Sequence, residues 1–277
     1  MVNWLHSPHS SDIAKYVECY WFIEKKAGIE SFPRLNPDPN GHLIIAPSDQ
    51  PYQYDSANLS TKGHGSHWLF PHRQTYQMDH TQPFCLLGIK FRVGALYSLT
   101  VVPDQPVLDL VTPLNGGATF PLLGFNDGEL IDSARYDVEV CWHKIETLLL
   151  PWLLNGQDDK HSSFTQKALP FLANTPISKI GAELHCSQRT LERSFSRVTG
   201  MTLKQCQSMQ RLDAMLEYLY PLKGQDIDWS QVAYLFGFSD QPHLIRYLKN
   251  GLGLTPGEYA KQRNFTIDVY GGVESSQ

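Results

Sequence analysis

Hydrophobic positions change rhythm along the 277-residue chain. From about Trp4 to Thr112 they come in short β-leaning runs, such as Tyr20-Trp21-Phe22-Ile23, His42-Leu43-Ile44-Ile45, Trp68-Leu69-Phe70 and the stretch from Phe84 to Phe91. Turn-formers separate them at Pro37-Asp38-Pro39-Asn40-Gly41, Pro47-Ser48-Asp49-Gln50-Pro51 and Lys62-Gly63-His64-Gly65. Many short strands with frequent turns predict an antiparallel barrel or sandwich. From Leu130 to Leu154 the apolar residues Ile131, Val138, Cys141, Trp142, Ile145, Leu148, Leu149 and Trp152 recur at helical spacing, which predicts one or two amphipathic helices. The polar stretch Asn155-Gly156-Gln157-Asp158-Asp159 breaks that pattern and marks the linker. After Ser162 the chain reads as helical until about Gln262. The expected architecture is α+β: a barrel-like, cupin-like antiparallel β domain over 1–125, helices and linker over 126–159, an all-α domain over 160–265 and a tail over 266–277.

The all-α part contains one pattern twice. Ile177 to Ser187 followed by Gln188 to Thr199 matches Ile227 to Ser239 followed by Asp240 to Asn250, each a short helix, a tight turn and a second helix. The residue types suit that shape. A small residue, Gly181 or Ala233, lets the paired helices cross closely. Each turn needs one residue tolerant of positive φ, His185 in the first copy and Gly237 in the second. Ser187 and Ser239 are expected to cap the helices that follow. Each second helix carries an apolar stripe, Leu191, Phe195 and Val198 or Leu244 and Leu248. Residues three and four apart share a face, so Arg189, Arg193 and Arg197, or Gln241, His243 and Arg246, project together on the other side. A helix entering a major groove needs such a face. Between the copies, Leu203 to Leu219 predicts one long helix whose Met209, Leu212, Met215, Leu216 and Leu219 bridge both. Each copy ends alike, in Gly200-Met201-Thr202-Leu203 and Gly253-Leu254-Thr255-Pro256.

Residues Phe164 to Arg263 resemble the DNA-binding domain of the AraC/XylS family, most clearly from Val232 to Lys249 and from Gly253 to Tyr259, with Ser187 to Phe195 supplying the first copy. His185, Leu203 and Cys206 stand where the family usually has glycine, proline and tyrosine. The resemblance implies two helix-turn-helix modules joined by a long helix, and a transcription regulator, activators included, that binds double-stranded DNA. Base-reading roles fall to Arg189, Glu192, Arg193, Gln241 and Arg246, because arginine donates twice to guanine and glutamate accepts from cytosine, although Glu192 could equally orient a neighbouring arginine. Backbone or supporting roles fall to Ser187, Gln188, Thr190, Arg197, Ser239 and His243. The amino-terminal half is similar to the sensory domain of many such regulators, through Tyr16 to Trp21, the Pro37-to-His42 turn and Gly88 to Ala95. It implies control by a small effector or by assembly as a homodimer, and an activator would also meet RNA polymerase.

Charge adjusts this picture. The net charge of −5 argues against a nucleic-acid ligand until it is divided. Before Lys160 there are 10 Lys and Arg against 18 Asp and Glu, or −8; from Lys160 onward there are 13 against 10, or +3. An acidic regulatory half joined to a basic reading half fits the repeat. Five scattered cysteines without a Cys-x-x-Cys pair predict neither disulfides nor zinc. No apolar run reaches about 18 residues and no secretory leader is visible, so no membrane partner and a cytoplasmic location are expected.

The rival reading is a cupin-like metalloenzyme with a helical appendage. His64, His67, His72 and His80 lie close in sequence, but no His-x-His pair precedes a glutamate, so no metal, no cofactor and no catalytic residue are expected. Loop or barrel-surface positions are the ordinary reading for these histidines. Trp4, Trp21, Trp68, Tyr52, Tyr54 and Tyr76 could line a ligand pocket, but the ordinary place for aromatic residues is the β-domain core, and Arg211 with Asp213 is expected to form a structural charge pair.

Overall fold

Phe84 to Phe91 forms a strand with a neighbour on each side, and all but Lys90 are buried. Burial on both faces is why it reads as a nearly unbroken apolar run. The computed structural model describes residues 2–25, 32–57, 60–102, 106–114, 126–219, 222 and 226–262. Its strands are β1 (Val2–His6), β2 (Val17–Lys25), β3 (Arg34–Leu35), β4 (Gly41–Ile45), β5 (Pro51–Asp55), β6 (Ser60–His64), β7 (His67–Leu69), β8 (Tyr76–Met78), β9 (Phe84–Phe91) and β10 (Val111–Pro113). Short helices α1 (Ser11–Ala14) and α2 (Ala95–Ser98) sit among them, and α3 (Asp127–Tyr136) and α4 (Val138–Leu153) follow. The carboxyl half holds α5 (Lys160–Ala168), α6 (Ile177–Glu183), α7 (Gln188–Thr199), α8 (Leu203–Leu219), α9 (Trp229–Leu235), α10 (Gln241–Leu252) and α11 (Pro256–Gln262). The α+β expectation holds, with antiparallel sheets followed by helices.

The strands make a six-stranded sheet, ordered β1-β2-β9-β4-β7-β10, and a four-stranded sheet, ordered β3-β8-β5-β6. Alternate residues of β2 serve different cores, as the two-residue period requires. Tyr20 and Phe22 face Ile145, Leu149 and Trp152 of α4, while Trp21 and Ile23 meet Leu35, Tyr54, Tyr76 and Met78 between the sheets. Apart from the exposed Val138, the apolar stripe of α4 is therefore spent inside the subunit. Asn155 to Asp159 is tied to the β domain as well: Asp158 pairs with Lys15 at 2.7 Å and accepts from the Ser98 hydroxyl at 2.7 Å, and Asp159 accepts from the Tyr97 hydroxyl at 2.9 Å.

Four local expectations change. Lys62-Gly63-His64 is strand rather than turn, paired with β5 along its length. It lies at the edge of its sheet and has no buried residue, so it lacks an apolar signal, and the Tyr52 ring lies over Gly63 where a Cβ would sit. His67 and His72 are fully buried rather than superficial. His67 manages this because Nδ1 donates to the Gly65 carbonyl at 2.8 Å while Nε2 meets the Tyr54 hydroxyl at 2.9 Å. Arg211 does not pair with Asp213, since residues two apart on a helix face different directions. Its guanidinium donates to the Gly237 carbonyl at 3.1 Å and lies 4.5 Å from the Phe238 ring. Asp213 instead faces the β domain, where burial and then the Asp38 carboxylate push its pKa well up, against the pull of Lys90. Finally, α8 bridges the copies by dividing its length. Leu203 and Cys206 pack with the first, and Leu212, Met215, Leu216 and Leu219 with the second. The short β-leaning stretch after Phe265 lies outside the described residues.

Candidate nucleic-acid interface

Helices α6 and α7 meet at Gly181, where an added Cβ would lie 3.0 Å from the Cys186 carbonyl oxygen and 3.1 Å from the Gln188 nitrogen. In the second copy Ala233 stands at this crossing. The turn bonds are equivalent, Cys186 N–H to the Gly181 carbonyl at 2.9 Å and Phe238 N–H to the Ala233 carbonyl at 2.8 Å. Both predicted turn residues take positive φ, His185 at 51° and Gly237 at 67°.

Ser187 caps α7, accepting from the Thr190 N–H at 3.1 Å. Ser239 does not cap α10. Asp240 does, accepting from the His243 N–H at 2.7 Å, while the Ser239 hydroxyl meets His243 Nδ1 at 3.3 Å. A cap bonds the second or third helical N–H, and Pro242 would be third if Ser239 were the cap. Having no N–H, Pro242 moves the cap one residue on, a signal the sequence itself carries.

The stripes Leu191, Phe195 and Val198, and Leu244 and Leu248, are buried, each Leu or Phe contributing roughly 1.5–3 kcal/mol. On the opposite faces Arg189, Glu192, Arg193, Gln241 and Arg246 are exposed. Among the described residues, Arg189, Arg193 and Arg246 have no ion-pair partner, so these guanidinium groups remain available to phosphates or bases. Glu192 accepts from Gln188 Nε2 at 3.0 Å, so its partner is a glutamine rather than a neighbouring arginine. Arg197 points back to the amino-terminal domain, its Nε donating to the Tyr97 hydroxyl at 3.2 Å.

A second site lies in the β domain. A cavity of about 330 Å³ is lined by residues including Tyr52, Tyr54, His67, Met78, His80 and Phe84. The Tyr52 ring lies against His67, tilted by 31° with centroids 3.9 Å apart, and His80 lies 4.0 Å from Phe84. Burial lowers the pKa of both imidazoles to about 4, so they are neutral at neutral pH. The buried Tyr52 hydroxyl has no hydrogen-bond partner among the described residues. The cavity thus presents aromatic and imidazole faces, with the side chains of Lys62 and Asp79 also in its lining. Among the described residues no three His, Cys, Asp or Glu side chains gather as a metal site would require, and none of the described helices is long and apolar enough to cross a membrane.

Two family patterns match the chain. One, described as a helix-turn-helix domain, matches residues 180–262, and the other, described as a domain of unknown function (DUF6597), matches residues 6–112. No curated protein matches by sequence. Among solved structures, ToxT from Vibrio cholerae bound to (E)-4-(8-methylnaphthalen-1-yl)but-3-enoic acid is similar at 12% identity and a TM-score of 0.49, covering 87% of this chain and 98% of that one. The DNA-binding domain of AdpA in complex with a target DNA is similar at 25% identity and a TM-score of 0.31, over 39% of this chain and 96% of that one. The AraC-like transcriptional activator CuxR is similar at 11% identity and a TM-score of 0.27, over 76% and 85%.

Proposed function

The carboxyl-terminal domain, matched over residues 180–262, is an AraC-type helix-turn-helix domain, and we propose that through it the chain reads double-stranded DNA with both recognition helices at once, as a transcription regulator. One observation carries this reading. Helices α7 and α10 are equivalent in their turns and buried stripes, each has a side-chain cap (Ser187 for α7, Asp240 for α10), and each presents an exposed polar face whose arginines have no ion-pair partner among the described residues. Arg189, Arg193, Gln241 and Arg246 face base edges, while Ser187, Thr190, Gln188 and Glu192 shape the start of α7. Ser239 and His243 do the same for α10. Selection from a random DNA pool tests it: the protein should enrich a sequence with two conserved boxes, and enrichment of none would refute it.

The cavity around Tyr52 and His67 supports control by a small effector. An aromatic molecule fits its ring-lined walls. A fragment screen by thermal shift checks this. Compounds should raise the Tm of the wild type and not of His67→Phe with Tyr52→Phe; equal shifts in both would place binding elsewhere. Such a regulator works in the cytoplasm, and as an activator it would touch RNA polymerase.

A further inference from the structure

The carboxyl ends of both recognition helices rest on the amino-terminal domain. Each ends in a left-handed glycine, Gly200 at φ 70° and Gly253 at φ 67°, at the same point of the repeat. Beside Gly200, Leu108 and Pro106 close in so tightly that a Cβ there would lie 2.8 Å from Leu108 Cδ1. Gly94 faces Val198 just as closely, with 2.8 Å left for a Cβ. This first contact is close-packed and mainly apolar, with one hydrogen bond, Arg197 Nε to the Tyr97 hydroxyl, at its edge.

The second contact is polar. Arg34 Nη1 donates to the Leu252 carbonyl at 2.8 Å, and the Thr75 hydroxyl donates to the Gly251 carbonyl at 2.5 Å. Carbonyls of the last helical turn lack partners within their helix, and a cation there also complements the helix dipole. Arg34 begins β3, and Thr75 immediately precedes β8. These strands pair through Arg34 with Gln77 and Leu35 with Tyr76. Leu35, Tyr76 and Met78 are buried between the sheets, so the ribbon is anchored in the core. Around this grip the two domains are not close-packed. A cavity of about 240 Å³ separates Pro37 and Arg73 from Gln205, Met209, Tyr247 and Asn250. The amino-terminal domain's own hold on α10 is therefore concentrated in two side chains.

We propose that the β3–β8 ribbon fixes the second recognition helix relative to the first, making Arg34 and Thr75 positioning residues that set the spacing of the two DNA segments read. The proposal rests on the DNA-reading function above. Because the first module is wedged against the same domain at Gly94 and Leu108, the amino-terminal domain acts as a gauge between the two helices. The same ribbon carries Met78 into the wall of the Tyr52 cavity, so a ligand there and the grip on α10 share strand β8.

The test compares the full-length wild type with Arg34→Ala/Thr75→Val by selection from a random DNA pool and by hydrogen exchange. Wild type should enrich two boxes at one spacing. The variant should enrich the same boxes with spacings spread over about one or two base pairs. Its amides from 246 to 252 should exchange about tenfold faster, with those of the β9 core unchanged. A variant that keeps the single spacing overturns the proposal, as does unchanged exchange in that segment. A wild-type pool without two boxes overturns the DNA reading itself, and the exchange result then still decides whether the grip exists. If the double variant does not fold, Thr75→Val alone removes one donor while keeping the side-chain shape, and the same two outcomes apply.

Discussion

The Arg197 guanidinium, on the recognition helix of the first module, donates through Nε to the Tyr97 hydroxyl at 3.2 Å, and that hydroxyl also donates to Asp159 at 2.9 Å. A side chain expected to meet phosphate is thus held by the neighbouring domain. DNA affinity should lose about 0.9 in log units per log unit of salt for each phosphate neutralised. Arg197→Ala should therefore leave the wild-type salt slope unchanged, whereas Tyr97→Phe should steepen it by about one phosphate. Binding measured across a salt series checks both. A slope that falls by about one on Arg197→Ala would show that Arg197 meets DNA despite Tyr97.

Reading is separable from positioning at the other arginines. Arg193→Ala and Arg246→Ala should each cost roughly 1–3 kcal/mol and relax preference at a few base pairs of one box. Competition binding with single-base operator variants measures this. Uniform weakening on all sequences would make them phosphate contacts.

The fully buried His67 and the half-buried His80 make stability depend on pH. His67 and His80 have folded pKa values of about 4, below the 6.5 of an unfolded histidine. Between these values the unfolded chain binds more protons than the native one, so stability rises with pH. It should be complete above about pH 6.5 and decline as pH falls toward 4, with His67 alone contributing about 3 kcal/mol across that window. Denaturant titrations at several pH values should show the decline reduced in His67→Gln, and an equal decline there would place its origin elsewhere.

His185 holds φ 51°, a region that costs a non-glycine residue roughly 1–2 kcal/mol. Glycine avoids that cost but loses about 0.4–1 kcal/mol through the unfolded chain. His185→Gly should therefore stabilise the first module by about 0.5–1 kcal/mol. Hydrogen exchange within α7 should slow accordingly, and faster exchange would contradict the assignment of turn strain.

Local rules make the reading face legible in the amino-acid sequence. Gly181, His185, Gly237 and Ser187 each answer to one turn, one crossing or one cap, and the helical period places Leu191 and Leu244 inward. The long run of β9 reveals itself because both its faces are buried. What stays hidden depends on contacts distant in sequence. Arg34, Thr75 and Tyr97 are ordinary polar residues until the fold brings them to Leu252, Gly251 and Arg197. His67 reads as superficial because nothing near it in sequence announces that Tyr54 and Gly65 satisfy both its nitrogens. The edge strand β6 escapes notice for the opposite reason, since it buries nothing.

The central claim is that one chain reads DNA with two helices at once, and a hydroxyl-radical footprint of the full-length protein on a selected site tests it most directly. The account predicts two protected segments per subunit, on one face of the duplex and about 34 Å apart, one helical turn. Protection of a single segment, unaltered by Arg193→Ala or by Arg246→Ala, would contradict it.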